Sequence, residues 1–326
     1  MVLFTTCGNN HSFNATKQVS SISANTLLPC IFIVLAHASG FLINFTIIIM
    51  IIKVNKIKSL FDSLIFHLAI CDLLFVIPVF IYVGALYGNY FISWPVAILN
   101  PTCKMVVFFA FMGITLHSYT LVLISFERYR IIVHPAKPRM KGRHIIITLL
   151  AMWLLLAIAP VCIISDVVPI PDTKYRYICL LQIKEGSVVI VLLALYFLLF
   201  GYLMPICIML YCYIRIIRRL RQISMITRKR FRDQTEGQRQ RKRIIVSLIC
   251  ISTLFIIFEF PLMIALVNVI CLRSHVTTSA IENYLINNNT NYFIGFFINI
   301  SPIFDPIVYL IKSKKIRQLC ARKINC

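Results

Sequence analysis

Inside stretches that are otherwise apolar, this chain keeps a small set of ionisable side chains: Asp72, Glu127, Arg128, Glu259 and Asp305, with His37, His67 and His117. Each costs free energy there unless it is paired, hydrogen-bonded or used. Three chemistries suit such groups. Carboxylates and imidazoles in series relay protons, carboxylates together hold a small cation, and a fixed guanidinium recognises a partner. The stretch "SFERYRIIVHP", residues 125–135, sets Glu127 and Arg128 side by side at the end of a long uncharged run. Arg128 is there either as a snorkelling anchor at a membrane interface or as a group presented to a partner.

The elements that carry these residues are membrane spans. Of 326 residues, 60% are hydrophobic and only 13% charged, with mean hydropathy +0.86. Soluble domains carry roughly a quarter charged residues, so a soluble fold is excluded. Seven apolar segments, at about 27–52, 60–87, 103–127, 145–165, 187–214, 244–270 and 291–311, are long enough to cross a bilayer. They must be helices, because lipid offers backbone groups no hydrogen-bond partner. The expected fold is an all-α integral membrane protein. It has an outer segment (1–26), a seven-transmembrane helix bundle (27–311) and a cytoplasmic tail (312–326). In the tail, "KSKKIRQLCARK" suits a short basic amphipathic helix on the inner leaflet. The opening "MVLFTTCGNNHSFNATKQ" has neither a basic start nor an apolar core, so the first span is expected to act as its own insertion signal.

The net charge of +22 suggests nucleic acid until its distribution is considered. All but Lys17, Lys104, Lys174, Arg176, Lys184 and Arg273 of the 33 basic residues fall in loops on one side of the spans. By the positive-inside rule that side is cytosolic and the N-terminus lies outside. The charge then serves topology, attraction to membrane lipids and an acidic partner; no nucleic acid is needed. The sequons at Asn10, Asn14 and Asn288 lie on the segments expected outside, as candidate glycosylation sites. Cys103 and Cys179 both face the oxidising outer space, and a bridge between them is expected. A second bridge, from Cys7 to Cys271, stays open. Cys320 and Cys326, near basic residues of the tail, are palmitoylation candidates.

Read span by span, the markers fall in one order: Asn44; "LAICD" ending at Asp72; Cys103 and then "ERY" with Arg128; Trp153; Pro205 with Tyr213; Pro261; and "DPIVY", residues 305–309. Over essentially its whole length the chain resembles rhodopsin-like (class A) G-protein-coupled receptors. "ERYRIIVHPAKPRM" is most similar to receptors for neuropeptides. Ala110 stands where amine receptors carry an aspartate, and the first lysine near span seven is Lys312, beyond its end. Amine and light sensing are therefore disfavoured.

The resemblance implies roles. Glu127, Arg128 and Tyr129, with Tyr213, Asp305, Pro306 and Tyr309, form the activation switch and the contact to a heterotrimeric G protein. At rest Glu127 neutralises Arg128; on activation helix six swings out, and Tyr213 and Tyr309 move inward. Asn44, Asp72, Ser301 and Asp305 resemble a polar core that often holds Na+. His117 replaces a small hydroxyl residue at that level, so a histidine–aspartate pair that excludes sodium and a packing network without an ion are both open. The implied ligand pocket is lined by Tyr82, Ala110, Phe111, Ile114, Phe197, Leu262, Met263, Leu266 and Asn299, with Glu259 below.

Two departures from the family pattern bear on function. "FEFP" at 258–261 puts Glu259 where the family has a tryptophan, and Arg241 stands where many receptors carry an acidic partner for the helix-three arginine. The second implies raised basal signalling. The expected function is a plasma-membrane receptor, not an enzyme, that couples an extracellular peptide to a G protein. A lipid ligand and ligand-independent activity are the alternatives within that class. A proton-coupled transporter using Asp72, His117, Glu259 and Asp305 is the alternative outside it, and an odd span count without an internal repeat opposes it.

Overall fold

A computed structural model describes residues 24–55, 60–91, 95–136, 142–161, 165–169, 177–181, 192, 195–230, 246, 249–250, 252–261, 263–264, 300 and 302–304. Helix α1 covers Ala24–Met50 and runs into a π-turn at Ile51–Asn55. It is followed by α2 (Leu60–Phe91), α3 (Val96–Val133) and α4 (Gly142–Val161). A π-turn at Phe197–Leu203 leads into α5, Met204–Arg230. The described part of α6 is Ser252–Pro261, and residues 302–304 of the seventh segment are helical. Helical backbone is thus found in each of the seven expected spans. Among the described residues, four helices are long and apolar enough to cross a membrane.

The surface is apolar outward, as lipid requires: Leu154, Leu155 and Leu42 are 73%, 65% and 61% exposed. Polar side chains turn inward instead. Helix α3 is the central staff, with 72% of Ala97–Val133 buried against 33% of Val34–Lys53 in α1. It touches α2, α4, α5 and the strand β1. Gly113 sets its closest approach to α2. A Cβ there would stand 3.0 Å from the Cys71 carbonyl oxygen and 3.1 Å from the Phe75 nitrogen, so only hydrogen fits between the two backbones.

Three expectations from the sequence need correction at their edges. The outer loop after α4 is a two-stranded antiparallel hairpin, β1 (Ser165–Pro169) with β2 (Tyr177–Leu181), in register Val167 to Cys179. The expected edge of the fourth span at 165 therefore falls in a strand, Ser165 being the first residue of β1, because apolarity alone does not separate helix from strand. Helix α3 starts at Val96, before Cys103, where the amides of Ile98 and Leu99 donate to the Pro95 carbonyl. Helix α5 continues past residue 214 to Arg230. Those sixteen further residues project about 24 Å at helical rise and carry Arg215, Arg218, Arg219 and Arg221.

Proline and a π-turn shape α5 where it meets α3. Pro205 has no amide hydrogen to return to the preceding turn, and the helix is underwound and wide at Phe197–Leu203. Carbonyls freed there are taken up from α3. Tyr119 donates its hydroxyl to the Phe200 carbonyl at 2.9 Å, and Ser118 donates to that of Gly201 at 3.4 Å.

Candidate functional site

Polar side chains form a column down the inside of the bundle, and the end of it nearest the C-terminus of α3 holds the "ERY" residues. Glu127 is buried, and its Oε2 lies 3.8 Å from Arg128 Nε. That is an ion pair too long for a hydrogen bond. The Arg128 guanidinium lies over the ring of Phe61 from α2, 4.1 Å from its centroid. An aromatic face within about 6 Å attracts such a cation through its quadrupole. Arg128 is thus held between its own neighbour and α2. The sequence reading had missed Phe61, because the signal is only an aromatic residue near the start of a span.

One turn inward, hydroxyl groups tie three helices together. Ser125 of α3 donates to the Tyr213 hydroxyl of α5 at 2.6 Å, and Tyr213 and Ser252 of α6 share a hydrogen bond of 2.8 Å. Any outward swing of α6 must break this chain. Tyr129 turns the other way, its hydroxyl 3.1 Å from His134 Nε2.

At mid-membrane, His117 Nδ1 stands 2.7 Å from Asp72 Oδ1, joining α3 to α2. The imidazole stacks on Phe255 of α6, with centroids 5.7 Å apart and planes 18° from parallel. Asn44 directs both amide hydrogens to carbonyls, Gly40 in its own helix and Pro302 in the seventh segment, each at 3.0 Å. It is therefore a clamp between α1 and the seventh segment. A second histidine makes a separate network. Trp153 of α4 donates its indole hydrogen to His67 Nε2 at 2.8 Å. Since Trp only donates, Nε2 accepts, and the hydrogen of His67 sits on Nδ1. It is given to Thr120 at 2.9 Å, and Thr120 in turn donates to the Leu116 carbonyl at 2.6 Å. The tautomer of His67 in this α2–α3–α4 junction is thereby assigned.

Toward the outside, Phe111 of α3 and Phe197 of the π-turn meet ring to ring, centroids 4.7 Å apart. Ala110, Phe111, Phe197 and Met263 are buried, and Ile114 is half-buried. Glu259 is buried below them at 4% exposure. In its vicinity Tyr202 donates its hydroxyl to the Ile256 carbonyl at 3.2 Å. Cys103 is buried and disulfide-bonded. Of the other residues the sequence nominated, Tyr82 lies on α2 and Cys179 on β2 by their backbones alone. Leu262, Leu266, Asn299, Ser301, Asp305, Pro306, Tyr309, Arg241, Asn10, Asn14, Asn288 and Cys320 lie outside the described residues.

A helical membrane bundle with an arginine held at one end, a buried polar column and an aromatic floor near the other end has the construction of a transmembrane receptor. The chain belongs to the 7 transmembrane receptor (rhodopsin family), whose family model matches residues 43–309. It is similar to the neuropeptide FF receptor 1 of Rattus norvegicus, 27% identical over 280 residues, or 80% of this chain and 62% of that one. Similarity extends to the neuropeptide Y receptor type 1 of Xenopus laevis, 28% identical over 273 residues, 78% of this chain and 72% of that one. A G-protein coupled receptor homolog of Swinepox virus (strain Kasza) is 27% identical over 290 residues, 86% of this chain and 72% of that one. The chain thus spans less than two thirds of the first relative's length.

Proposed function

We propose that this receptor passes an extracellular peptide signal to a heterotrimeric G protein and does no chemistry of its own. The observation that carries the reading is the arrest of Arg128. Its charge is held by Glu127 and the Phe61 ring at the mouth of the bundle, while Ser125, Tyr213 and Ser252 keep α6 closed. Opening α6 would free a planar five-donor cation for a partner's carbonyls and carboxylates. The arginines of the α5 extension supply a basic flank to the same face. Peptide rather than amine or lipid is supported by the similarity to two neuropeptide receptors together with Ala110 and an aromatic floor.

The remaining assignments follow from this reading. The N-terminus is outside and the C-terminus inside, at the plasma membrane, as the basic residues favour. Cys179 is the partner of Cys103, supported by its place on β2 in a hairpin whose other strand lies against α3. Asn10, Asn14 and Asn288 carry glycans and Cys320 a palmitoyl chain. Tyr309 and Asp305–Pro306 complete the switch. Ligand-independent activity is a second reading, favoured by Glu259 in the tryptophan's place and by Arg241.

The deciding experiment is a panel of G-protein dissociation assays, run first without ligand and then with a peptide library, on wild type and Arg128→Ala at matched surface levels. Wild type should activate at least one G protein, and the variant none. Full coupling by Arg128→Ala would remove the assigned role.

A further inference from the structure

Receptors of this family often hold a sodium ion beside the span-two aspartate, and the donor set that the described residues supply does not fit one. Sodium is a hard cation that takes oxygen ligands; imidazole nitrogen suits transition metals. Asp72 Oδ1 is already engaged by His117 Nδ1 at 2.7 Å, and both side chains are buried, at 4% and 6% exposure. The imidazole is fixed flat against Phe255, so it cannot rotate away without giving up that contact. Asn44 has turned both amide hydrogens to carbonyls. Its Oδ1 is buried without a partner among the described residues, but one amide oxygen is not a coordination shell.

The other imidazole nearby does not compete for that place. His67, on α2, has its Nε2 committed to Trp153 and its Nδ1 hydrogen to Thr120. Ser301 and Asp305, which the resemblance also puts in this core, lie outside the described residues.

We propose that the His117 imidazole stands in the place of a sodium ion in this core. It engages Asp72 Oδ1 from a tethered ring, so that sodium is not a ligand of this receptor. A dissolved ion stabilises the state it binds according to its concentration. A tethered ring has no such dependence, and the α2–α3 junction stays closed at any sodium level.

The test compares unfolding midpoints of the purified full chain in lipid nanodiscs, in sodium chloride and in potassium chloride, both at about 150 mM so that screening is equal. Wild type should differ by less than about 1 °C between the two salts, while His117→Ser, which restores a small hydroxyl, should gain roughly 2–4 °C in sodium. A wild type stabilised by sodium as strongly as that would overturn the proposal, as would a folded His117→Ser indifferent to it. Should that variant fail to fold, the wild-type comparison stands on its own, and His117→Asn provides the second variant. A double-mutant cycle reads the pairing directly. Asp72→Asn alone should lower the midpoint, and adding His117→Gln should recover part of the loss; purely additive losses would mean the two groups do not hold each other and would overturn the proposal. Midpoints are read without agonist or G protein, so failure here leaves the receptor reading intact.

Discussion

Arg128 is restrained differently from what its sequence neighbourhood suggests. Glu127 alone, at 3.8 Å, is a weak hold for a group at the edge of the bundle. The Phe61 ring adds a contact worth about 0.5–2 kcal/mol, depending on desolvation. Phe61→Leu keeps apolar volume and removes the quadrupole. It should raise ligand-free nucleotide exchange roughly two- to tenfold, since each 1.4 kcal/mol is about a factor of ten. A variant as quiet as wild type, at equal surface level, would assign the restraint to Glu127. Glu259 is the other residue whose part must be measured. Its burial and the nearby bond from Tyr202 to the Ile256 carbonyl place it in the packing of α6. Glu259→Gln should therefore alter basal activity and leave agonist potency within about twofold. A loss of tenfold or more, about 1.4 kcal/mol, would instead put a ligand's cationic end on this carboxylate.

Between elements, the contacts that matter are few and directional. Helices α2 and α3 approach through Gly113, where an added methyl would press on the Cys71 carbonyl and the Phe75 amide. Neither is the movable end of a side chain, so the helices must separate. Gly113→Ala should cost about 1–3 kcal/mol as overpacking does, read as a lowered unfolding midpoint and reduced surface expression. An unchanged midpoint would mean that the two backbones adjust freely. The separation would also strain the neighbouring Asp72–His117 and His67–Thr120 bonds, which depend on the same spacing.

At the scale of the molecule, the hairpin packs on α3, since β1 lies against it; Cys103 of α3 is disulfide-bonded, on the proposed reading to Cys179 of the same hairpin. A bridge closing a long loop contributes about 2–4 kcal/mol, chiefly by limiting the unfolded chain; membrane insertion already imposes part of that limit. Cys103→Ala should mature poorly and reach the surface weakly. Normal maturation, with Cys179 reactive to a thiol reagent in the native protein, would separate the two cysteines.

Seven spans and the order of the markers from Asn44 to "DPIVY" were legible in the sequence, together with an expected sidedness. Lipid enforces helices on long apolar runs, and basic loops report topology. Neither requirement depends on how the helices meet. Tertiary structure alone decided that Arg128 rests on Phe61, that Tyr213 joins Ser125 to Ser252, and that His67 bridges Trp153 to Thr120. These partners come from different spans, and which faces meet is set by close approaches such as Gly113 and by the carbonyls that Pro205 and the π-turn leave to α3. His117 lies between the two cases. Its residue type announced a departure in the polar core, but only the rotation of α3 against α2 brought its nitrogen to Asp72. Hydrogen bonds are made at 2.7–3.2 Å, a precision that helix packing supplies and hydropathy does not.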